Sequence, residues 1–252
     1  MKIIWHSTAA VEIQCDEGKI LFDPFFPLKG SEIALKEDEF DGFSDIFITH
    51  GHFDHICSIP EVVRRNPHVR VHCTRTPYET LRKKGVPEKN LIEIAHGEKF
   101  VLEGFEIDTV KSCHAVLPKA SLKLLSEIFF TRYIGNIPFI IRENRACDEN
   151  GETVFYIIRS GGKTIQLMGS LNLQPCEDYG KNADLLILPY NGWEDNFPPA
   201  CRVIDRLKPK RVLLDHYDIT FPPVTRYIDC GGICRRYDGL VSKMEMGEVY
   251  EV

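Results

Sequence analysis

The stretch of sequence that decides the fold is Thr49-His50-Gly51-His52-Phe53-Asp54-His55. Its first histidine directly follows Ser44–Thr49, a run rich in residues that favour β-strands. Imidazoles and a carboxylate grouped this closely are the ligands that zinc and similar cations prefer. A polar surface turn that happens to be rich in histidine is the alternative, but a strand leading directly into the cluster favours a metal site. We expect His50 and His52 to turn to one ion, while Asp54 and His55 turn to a neighbouring ion.

Two further histidines stand at the ends of predicted strands. His114 follows the strand-like run Ile107–Val110, and His216 follows Val212–Leu214. Either histidine alone would be more typical of a surface or hydrogen-bonded position. Their placement after strands, as in the cluster around His50, favours metal binding instead. We interpret the histidines without such a setting as structural, namely His6, His68, His72 and His96.

The composition is that of an ordinary globular protein. The chain has 252 residues, of which 43% are hydrophobic and 27% charged, and its net charge is -6. This acidic balance, without a Lys/Arg-rich stripe, excludes a general nucleic-acid binder. No apolar run approaches the roughly 18 residues of a membrane span, and the first residues lack a signal-peptide pattern. We expect a cytoplasmic protein whose partner is a small-molecule substrate, not a nucleic acid or a membrane; homo-oligomer formation is left open.

The nine cysteines do not indicate a disulfide framework, because their number is odd and no export signal is evident. Six cysteines are scattered singly, and we interpret most of these six as small buried hydrophobic residues; they are Cys15, Cys57, Cys73, Cys113, Cys147 and Cys201. Cys230 and Cys234 lie in Cys-Gly-Gly-Ile-Cys, which leaves a metal site or a disulfide open beside the simpler interpretation as two ordinary thiols. Because no second pair lies near them in the sequence, ordinary thiols are favoured.

The order of the predicted elements indicates one α/β domain over residues 1–252. Strand-like runs dominate the first half, whereas strands alternate with helices such as Ala200–Leu207 in the second half. This pattern favours two packed sheets with helices outside them. Helical spacing of apolar residues over Lys119–Tyr133 predicts an inserted helix or lid at 117–135.

The metal-ligand stretch resembles the signature loop of the metallo-β-lactamase fold superfamily, and the resemblance covers nearly the whole chain. Ile20-Leu21-Phe22-Asp23-Pro24 is similar to the family's strand ending in Asp-Pro, in which the Asp supports the metal loop. His114 is similar to the third metal histidine, and His216 to the last. The tail Met246-Gly247-Glu248-Val249-Tyr250 resembles the closing strand of a branch of small metal-dependent hydrolases that includes ascorbate-6-phosphate lactonase-like proteins.

The resemblance implies a four-layer αββα sandwich with a metal site in a cleft at one edge of the sheets. It implies a first metal site formed by His50, His52 and His114, and a second formed by Asp54, His55 and His216. One or two divalent transition-metal ions would bind there, with zinc preferred over manganese or iron. A metal-bound hydroxide, oriented by Asp54 as the catalytic residue, would attack the substrate. The implied function is a metal-dependent hydrolase of an ester, lactone, amide or phosphodiester-type small molecule.

The sequence departs from the family pattern at Ser170. The family usually has an Asp there that bridges the two ions, whereas this chain has Gln166-Leu167-Met168-Gly169-Ser170. A neutral hydroxyl is a poorer ligand for a divalent cation than a carboxylate, so the second ion should bind more weakly than the first. The residues that could compensate are Asn172, Asp178 and Asp215. A smaller departure is Ser7-Thr8, where the branch often has Gly-His.

Two alternatives to a hydrolase follow from these residues. Because Ser170 replaces the bridging Asp, a non-catalytic metal- or ligand-binding protein that kept the fold is one of them. A di-iron redox enzyme is the other, but such members replace the second histidine of the loop with Glu, whereas this chain has His52. The hydrolase is therefore favoured.

Overall fold

Two β-sheets pack face to face, and helices cover their outer faces. The structure is a computed structural model that describes residues 1–115, 133–191 and 196–252. Within these ranges, the first seven-stranded sheet has the order β14-β1-β2-β3-β4-β5-β6. Its strands are β1 (Lys2–Ser7), β2 (Ala10–Gln14), β3 (Lys19–Phe22), β4 (Asp45–Phe47), β5 (Arg70–Cys73), β6 (Leu91–Glu93) and β14 (Val249–Glu251).

The second sheet also has seven strands among the described residues, in the order β13-β12-β11-β10-β9-β8-β7. Its strands are β7 (Lys99–Leu102), β8 (Phe105–Lys111), β9 (Val154–Ser160), β10 (Lys163–Met168), β11 (Leu185–Pro189), β12 (Val212–Asp215) and β13 (Val241–Lys243). The described helices are α1 (Phe53–Ile56), α2 (Ile59–Arg65), α3 (Arg75–Lys83), α4 (Ile137–Ala146), α5 (Phe197–Leu207) and α6 (Gly231–Arg236), with short 3-10 turns at Glu88–Asn90 and Ile134–Asn136.

Three hydrophobic clusters separate four layers, and the pleat of the strands explains why. Side chains alternate between the two faces of a strand. On β11, Leu185 and Ile187 face the cluster between the sheets, while Leu186 and Leu188 face the cluster beneath α5 and α6. A third cluster packs α1 to α4 against the other outer face, for example through Val62. The predicted αββα sandwich is therefore confirmed.

The strand directions bring the predicted site to one edge of the sandwich. Strands β3 and β4 are parallel, as are β10, β11 and β12, and β8 runs in the same direction as β10 because both are antiparallel to β9. The residues that follow these carboxyl ends therefore meet, namely Asp23, His50, His114, Ser170 and His216. Two bonds join the sheets at this edge: the Tyr156 hydroxyl donates to the Ile48 carbonyl across 2.7 Å, and Val154 N donates to the Thr49 carbonyl across 2.8 Å.

The structure differs from the sequence expectations at a few boundaries. The second half of the metal loop forms the single helical turn α1 instead of an open loop. Helix α5 begins at Phe197, three residues before the predicted Ala200, because proline is compatible with a first helical turn. Of the predicted lid at 117–135, residues 117–132 lie outside the described residues, and Ile134–Asn136 is a 3-10 turn. Among the described helices, none has the length and apolar character that a membrane span requires.

Candidate metal centre

The structure brings all six predicted ligands together in two adjacent groups. His50, His52 and His114 form the first group, and Asp54, His55 and His216 form the second. Within each group, one potential ligand atom from each residue lies within 4.8 Å of the others. His50 and His55 connect the groups, because their ring centroids are 3.9 Å apart.

In the first group, the spacing of the histidine nitrogens suits a shared ion. Nε2 of His50 lies 3.2 Å from Nδ1 of His52. The ring centroid of His114 lies 5.0 Å from that of His50 and 4.4 Å from that of His52. Two nitrogen ligands of one tetrahedral zinc, each about 2.0–2.1 Å from the ion, stand about 3.4 Å apart. The observed nitrogen spacing is close to that value.

Hydrogen bonds to Thr49 and Asp23 determine which ring nitrogen of His50 and of His55 faces the site. The Thr49 hydroxyl donates to Oδ2 of Asp23 across 2.5 Å, so its oxygen can accept the Nδ1 proton of His50, 3.0 Å away. Nδ1 of His55 donates to the same Oδ2 atom across 2.8 Å. Both histidines therefore present an unprotonated Nε2 to the site when neutral, which is how a protein orients metal-binding imidazoles. The supporting role implied for Asp23 agrees with these contacts.

His114 is oriented by backbone groups. Its Nδ1 donates to the carbonyl of Ala115 across 2.7 Å, which leaves Nε2 for the site. The amide of Asn172 donates to the His114 carbonyl across 3.2 Å. Ala115 N in turn donates to the hydroxyl of Ser170 across 2.9 Å. Ser170 thus lies beside the His114 backbone.

The first group is held in the form that binds metal. Burial, followed by the neighbouring imidazoles, lowers the pKa of His50 well below its usual value. Burial and His52 likewise lower the pKa of His114 to about 4, against the hydrogen bond to the Ala115 carbonyl. Burial also lowers the pKa of His52, although Asp54 opposes the shift. These rings are therefore neutral at pH 7, as ligation requires.

The second group contains a buried ion pair. Oδ2 of Asp54 lies 3.3 Å from Nε2 of His216 and 3.9 Å from Nε2 of His55. Burial would raise the pKa of Asp54, but the two imidazoles outweigh it and lower that pKa. Burial would lower the pKa of His216, but Asp54, with help from Asp218, raises it to about 9. A cation at this group must therefore displace the His216 proton.

The donor sets fit a divalent transition metal ion. Three neutral imidazoles, next to two imidazoles and a carboxylate, match the ligand types that zinc, iron and manganese sites use. Nδ1 of His216 is buried without a hydrogen-bond partner among the described residues, as is Oδ1 of Asp218. Unsatisfied buried polar atoms are costly, so these two atoms beside the second group are exceptions that call for a partner.

The turn between β1 and β2, near the start of the chain, holds His216 in place. The backbone of His216 is left-handed, with a φ of 59°, which is uncommon for a residue other than glycine. His216 N donates to the Thr8 carbonyl across 2.9 Å, and Thr8 N donates to Oδ2 of Asp218 across 2.8 Å. The Thr8 carbonyl also accepts the indole N–H of Trp5 across 2.8 Å. Thus Thr8, noted in the sequence only as a departure from the family pattern, fixes the last ligand.

Of the three residues expected to compensate for Ser170, the two carboxylates Asp178 and Asp215 join neither donor group of the described residues. Asn172 holds the His114 carbonyl. Asp178 is exposed and accepts a hydrogen bond from Gly180 N across 2.9 Å. Burial raises the pKa of Asp215 to about 8, so that this carboxyl is largely protonated at pH 7. The sequence interpretation missed Asp218, whose only signal was its position two residues after His216.

Gly169 lets the two sheets approach each other behind the site. A Cβ atom added there would lie 2.0 Å from Oγ1 of Thr49 and 2.2 Å from its Cβ. No real side chain tolerates such a contact, so the residue before Ser170 is restricted to glycine. This close approach keeps Thr49 in place beneath His50.

Cys230 and Cys234 are free thiols at the start of α6. Within the described part of the chain, neither belongs to a group with metal-ligand spacing. Burial raises the pKa of both thiols, that of Cys230 to about 12. The favoured interpretation as ordinary thiols agrees with this environment.

The chain resembles known proteins in sequence and in fold. A UPF0173 metal-dependent hydrolase from Thermoplasma volcanium is 27% identical over 222 residues, which cover 86% of this chain and 84% of that protein. Igni18, a metallo hydrolase from the archaeon Ignicoccus hospitalis, has a TM-score of 0.64 and 21% identity, over 100% of this chain and 98% of that chain. Zinc-bound PqqB from Methylobacterium extorquens has a TM-score of 0.63 and 13% identity, over 98% of this chain and 88% of that chain.

The family is shown by a match that spans most of the chain. The sequence model described as the beta-lactamase superfamily domain matches residues 19–217, a range that contains all six predicted ligands. The nearer likeness to ascorbate-6-phosphate lactonase-like proteins stays a prediction, because none of the relatives named above is such a lactonase. The chain belongs to the beta-lactamase superfamily, the metallo-β-lactamase fold proteins whose metal loop its sequence resembles.

Proposed function

We propose that the protein is a metal-dependent hydrolase of a small molecule with an ester, lactone, amide or phosphodiester bond. The observation that carries the proposal is the pair of adjacent donor groups in which hydrogen bonds have already selected the metal-facing nitrogens of His50, His55 and His114. Histidines that bind metal almost always donate their other ring N–H in this way, which fixes the tautomer and the orientation of the ring. The hydrolase names of the relatives in the same superfamily support the proposal.

Each donor group has its own part in the proposed reaction. The neutral imidazoles of His50, His52 and His114 hold the tighter ion, and zinc suits this all-nitrogen set best. A bound divalent ion lowers the pKa of water to about 7 and polarises the carbonyl or phosphoryl oxygen of a substrate. Asp54 is the catalytic residue: its carboxylate, kept ionised by His55 and His216, accepts a hydrogen bond from the attacking water and orients it.

The second group binds its ion more weakly than the first. Its histidine His216 is protonated in the metal-free protein, and Ser170, where the family usually has a bridging Asp, supplies no carboxylate. Loss of one negative ligand reduces affinity for a divalent cation. We therefore propose one tightly bound ion and a second that is bound only at higher metal concentration.

Metal analysis combined with a substrate panel tests this function. The protein is purified without chelator, and its hydrolysis of a phosphodiester, a sugar lactone, an amide and an acyl thioester is measured. We expect at least one equivalent of transition metal and a hydrolytic activity that a chelator abolishes and zinc restores. Less than about half an equivalent of metal, without activity after addition of zinc, manganese or iron, contradicts the proposal. Retained metal without hydrolysis in any assay would favour the non-catalytic alternative. Asp54→Asn serves as the matched inactive variant.

A further inference from the structure

Ser170 occupies the place of a metal-bridging Asp, yet its hydroxyl is engaged with the backbone. The side chain is buried, with 2% exposed, and Oγ accepts the N–H of Ala115 across 2.9 Å. We propose that Ser170 is a positioning residue that fixes the orientation of His114 through Ala115. This inference rests on the proposed function, because it assigns Ser170 an indirect part in the first metal site.

The peptide unit between His114 and Ala115 is held at both of its polar atoms. The Asn172 amide donates to its carbonyl oxygen across 3.2 Å, and Ser170 accepts from its N–H. Rotation of this unit would break both bonds, so the backbone of His114 cannot turn freely. The peptide unit therefore fixes the backbone position from which the His114 side chain extends.

The same segment also selects the tautomer of the ring. The Ala115 carbonyl can only accept a hydrogen bond, and Nδ1 of His114 lies 2.7 Å from it. The ring must therefore carry its proton on Nδ1 and offer Nε2 to the metal. Displacement of Ala115 would lengthen this bond and release the ring. Ser170 thus acts on His114 through two successive hydrogen bonds.

The loop after β10, which carries Ser170, is hydrogen-bonded to the segment after β8 that leads to His114. Asn172 N donates to the Ser170 carbonyl across 2.9 Å, and the Ser112 hydroxyl donates to the Asn172 carbonyl across 2.8 Å. Farther along the loop, the Tyr179 hydroxyl donates to the Lys111 carbonyl across 2.7 Å. Because the loop after β10 is bound to the chain after β8 at several points, the Ser170 hydroxyl has a fixed position from which to hold Ala115.

A double-mutant cycle on zinc affinity tests the inference. The affinity for the first zinc equivalent is measured by competition with a chromophoric chelator in the unaltered protein, Ser170→Ala, His114→Ala and the double variant. We expect Ser170→Ala to weaken binding about tenfold, as loss of a group behind a ligand does. In the His114→Ala background it should have no further effect, because Ser170 acts only through His114. Equal weakening in both backgrounds, or an affinity of Ser170→Ala within about twofold of the unaltered protein, would overturn the inference.

Two controls separate positioning from a general loss of structure. Thr109→Val removes a buried hydroxyl that donates to the Ala95 carbonyl across 2.8 Å and to no residue of either donor group, and it should leave zinc affinity unchanged. Nitrogen NMR of the histidine rings in the zinc-free protein should show His114 protonated on Nδ1, and a mixture of tautomers in Ser170→Ala. An unchanged tautomer in Ser170→Ala contradicts the inference.

Failure of the inference and of the proposed function are distinguishable. Normal zinc binding with an unaffected Ser170→Ala variant would refute only the positioning role. Absence of zinc binding in the unaltered protein would contradict the proposed function and the positioning role together.

Discussion

Thr49 contacts Asp23 through two donors: its hydroxyl donates to Oδ2 across 2.5 Å and its N–H donates to Oδ1 across 2.8 Å. Since the hydroxyl proton is committed to Asp23, the oxygen is left to accept from His50. His55 donates to the same carboxylate. One threonine and one aspartate thus set the orientation of a histidine in each donor group.

Replacement of Thr49 should therefore weaken metal binding without unfolding the protein. Thr49→Val keeps the shape of the side chain but removes the donor to Asp23 and the acceptor for His50. We expect zinc affinity to fall about 10–100-fold and the free energy of unfolding to fall by about 1–3 kcal/mol, because buried polar atoms lose their partner. Chelator competition and urea denaturation measure the two effects.

Thr109→Val is the matched control, since its buried hydroxyl donates to the Ala95 carbonyl across 2.8 Å. Thr109→Val should lower the free energy of unfolding by a similar amount and leave zinc affinity unchanged. Equal zinc affinity in Thr49→Val and the unaltered protein would show that Thr49 does not orient His50.

Substitution of Gly169 should destabilise the sandwich. In Gly169→Ala the added methyl would lie 2.0 Å from Oγ1 of Thr49, so one sheet edge must shift. Overpacking of this kind costs about 1–3 kcal/mol in the free energy of unfolding, measured by urea denaturation of the zinc-free protein. Gly232→Ala is the control, because its methyl would meet only the Phe197 ring, at 3.7 Å from Cδ2 and 3.8 Å from Cε2. A Gly169→Ala variant as stable as the unaltered protein would refute the close approach.

The affinity for the second zinc equivalent should depend on pH, whereas the affinity for the first should not. Burial lowers the pKa of His216, but Asp54 outweighs it and raises that pKa to about 9, so zinc must displace a proton at neutral pH. Affinity for the second equivalent should therefore rise about tenfold per pH unit between about pH 6 and 8. The affinity for the first equivalent should be nearly constant in this range, because burial and His52 lower the pKa of His114 to about 4. Calorimetric titrations at several pH values measure both. Parallel slopes for the two equivalents would contradict the assignment of His216.

Restoration of the family's carboxylate should strengthen the second site. Ser170→Asp places a negative charge beside the backbone that follows His114 and keeps an oxygen that can accept from Ala115 N. We expect the metal content after purification to rise towards two equivalents per chain, because a carboxylate is a better ligand than a hydroxyl. Ser170→Asn, which lacks the charge, is the control. Unchanged stoichiometry in Ser170→Asp would mean that residue 170 does not face the site.

The sequence predicted the layers and the convergence of the six candidate ligands because both depend on local patterns. Alternation along strands such as β11 specifies which side chains enter which cluster. A strand that ends in histidines places them at a sheet edge, whatever the details of the loop. The implied role of Asp23 also agrees with its contacts.

Other features of the site depend on contacts between distant parts of the chain. The Thr8–Asp218 hydrogen bond joins residues 210 positions apart, and it exists only because the first hairpin packs against the loop after β12. The left-handed backbone of His216 has no signal in its own sequence, since only that tertiary contact offsets its strain. The engagement of Ser170 with Ala115 likewise depends on how two loops meet.

Anomalous diffraction from crystals of the zinc-loaded protein tests the central claim most directly, because it locates the ion without reference to activity. The strongest peak at the zinc absorption edge should lie between Nε2 of His50, Nδ1 of His52 and His114, with a weaker peak beside Asp54, His55 and His216. A strongest peak elsewhere in the molecule, or no peak at the His50, His52 and His114 group, would contradict the account.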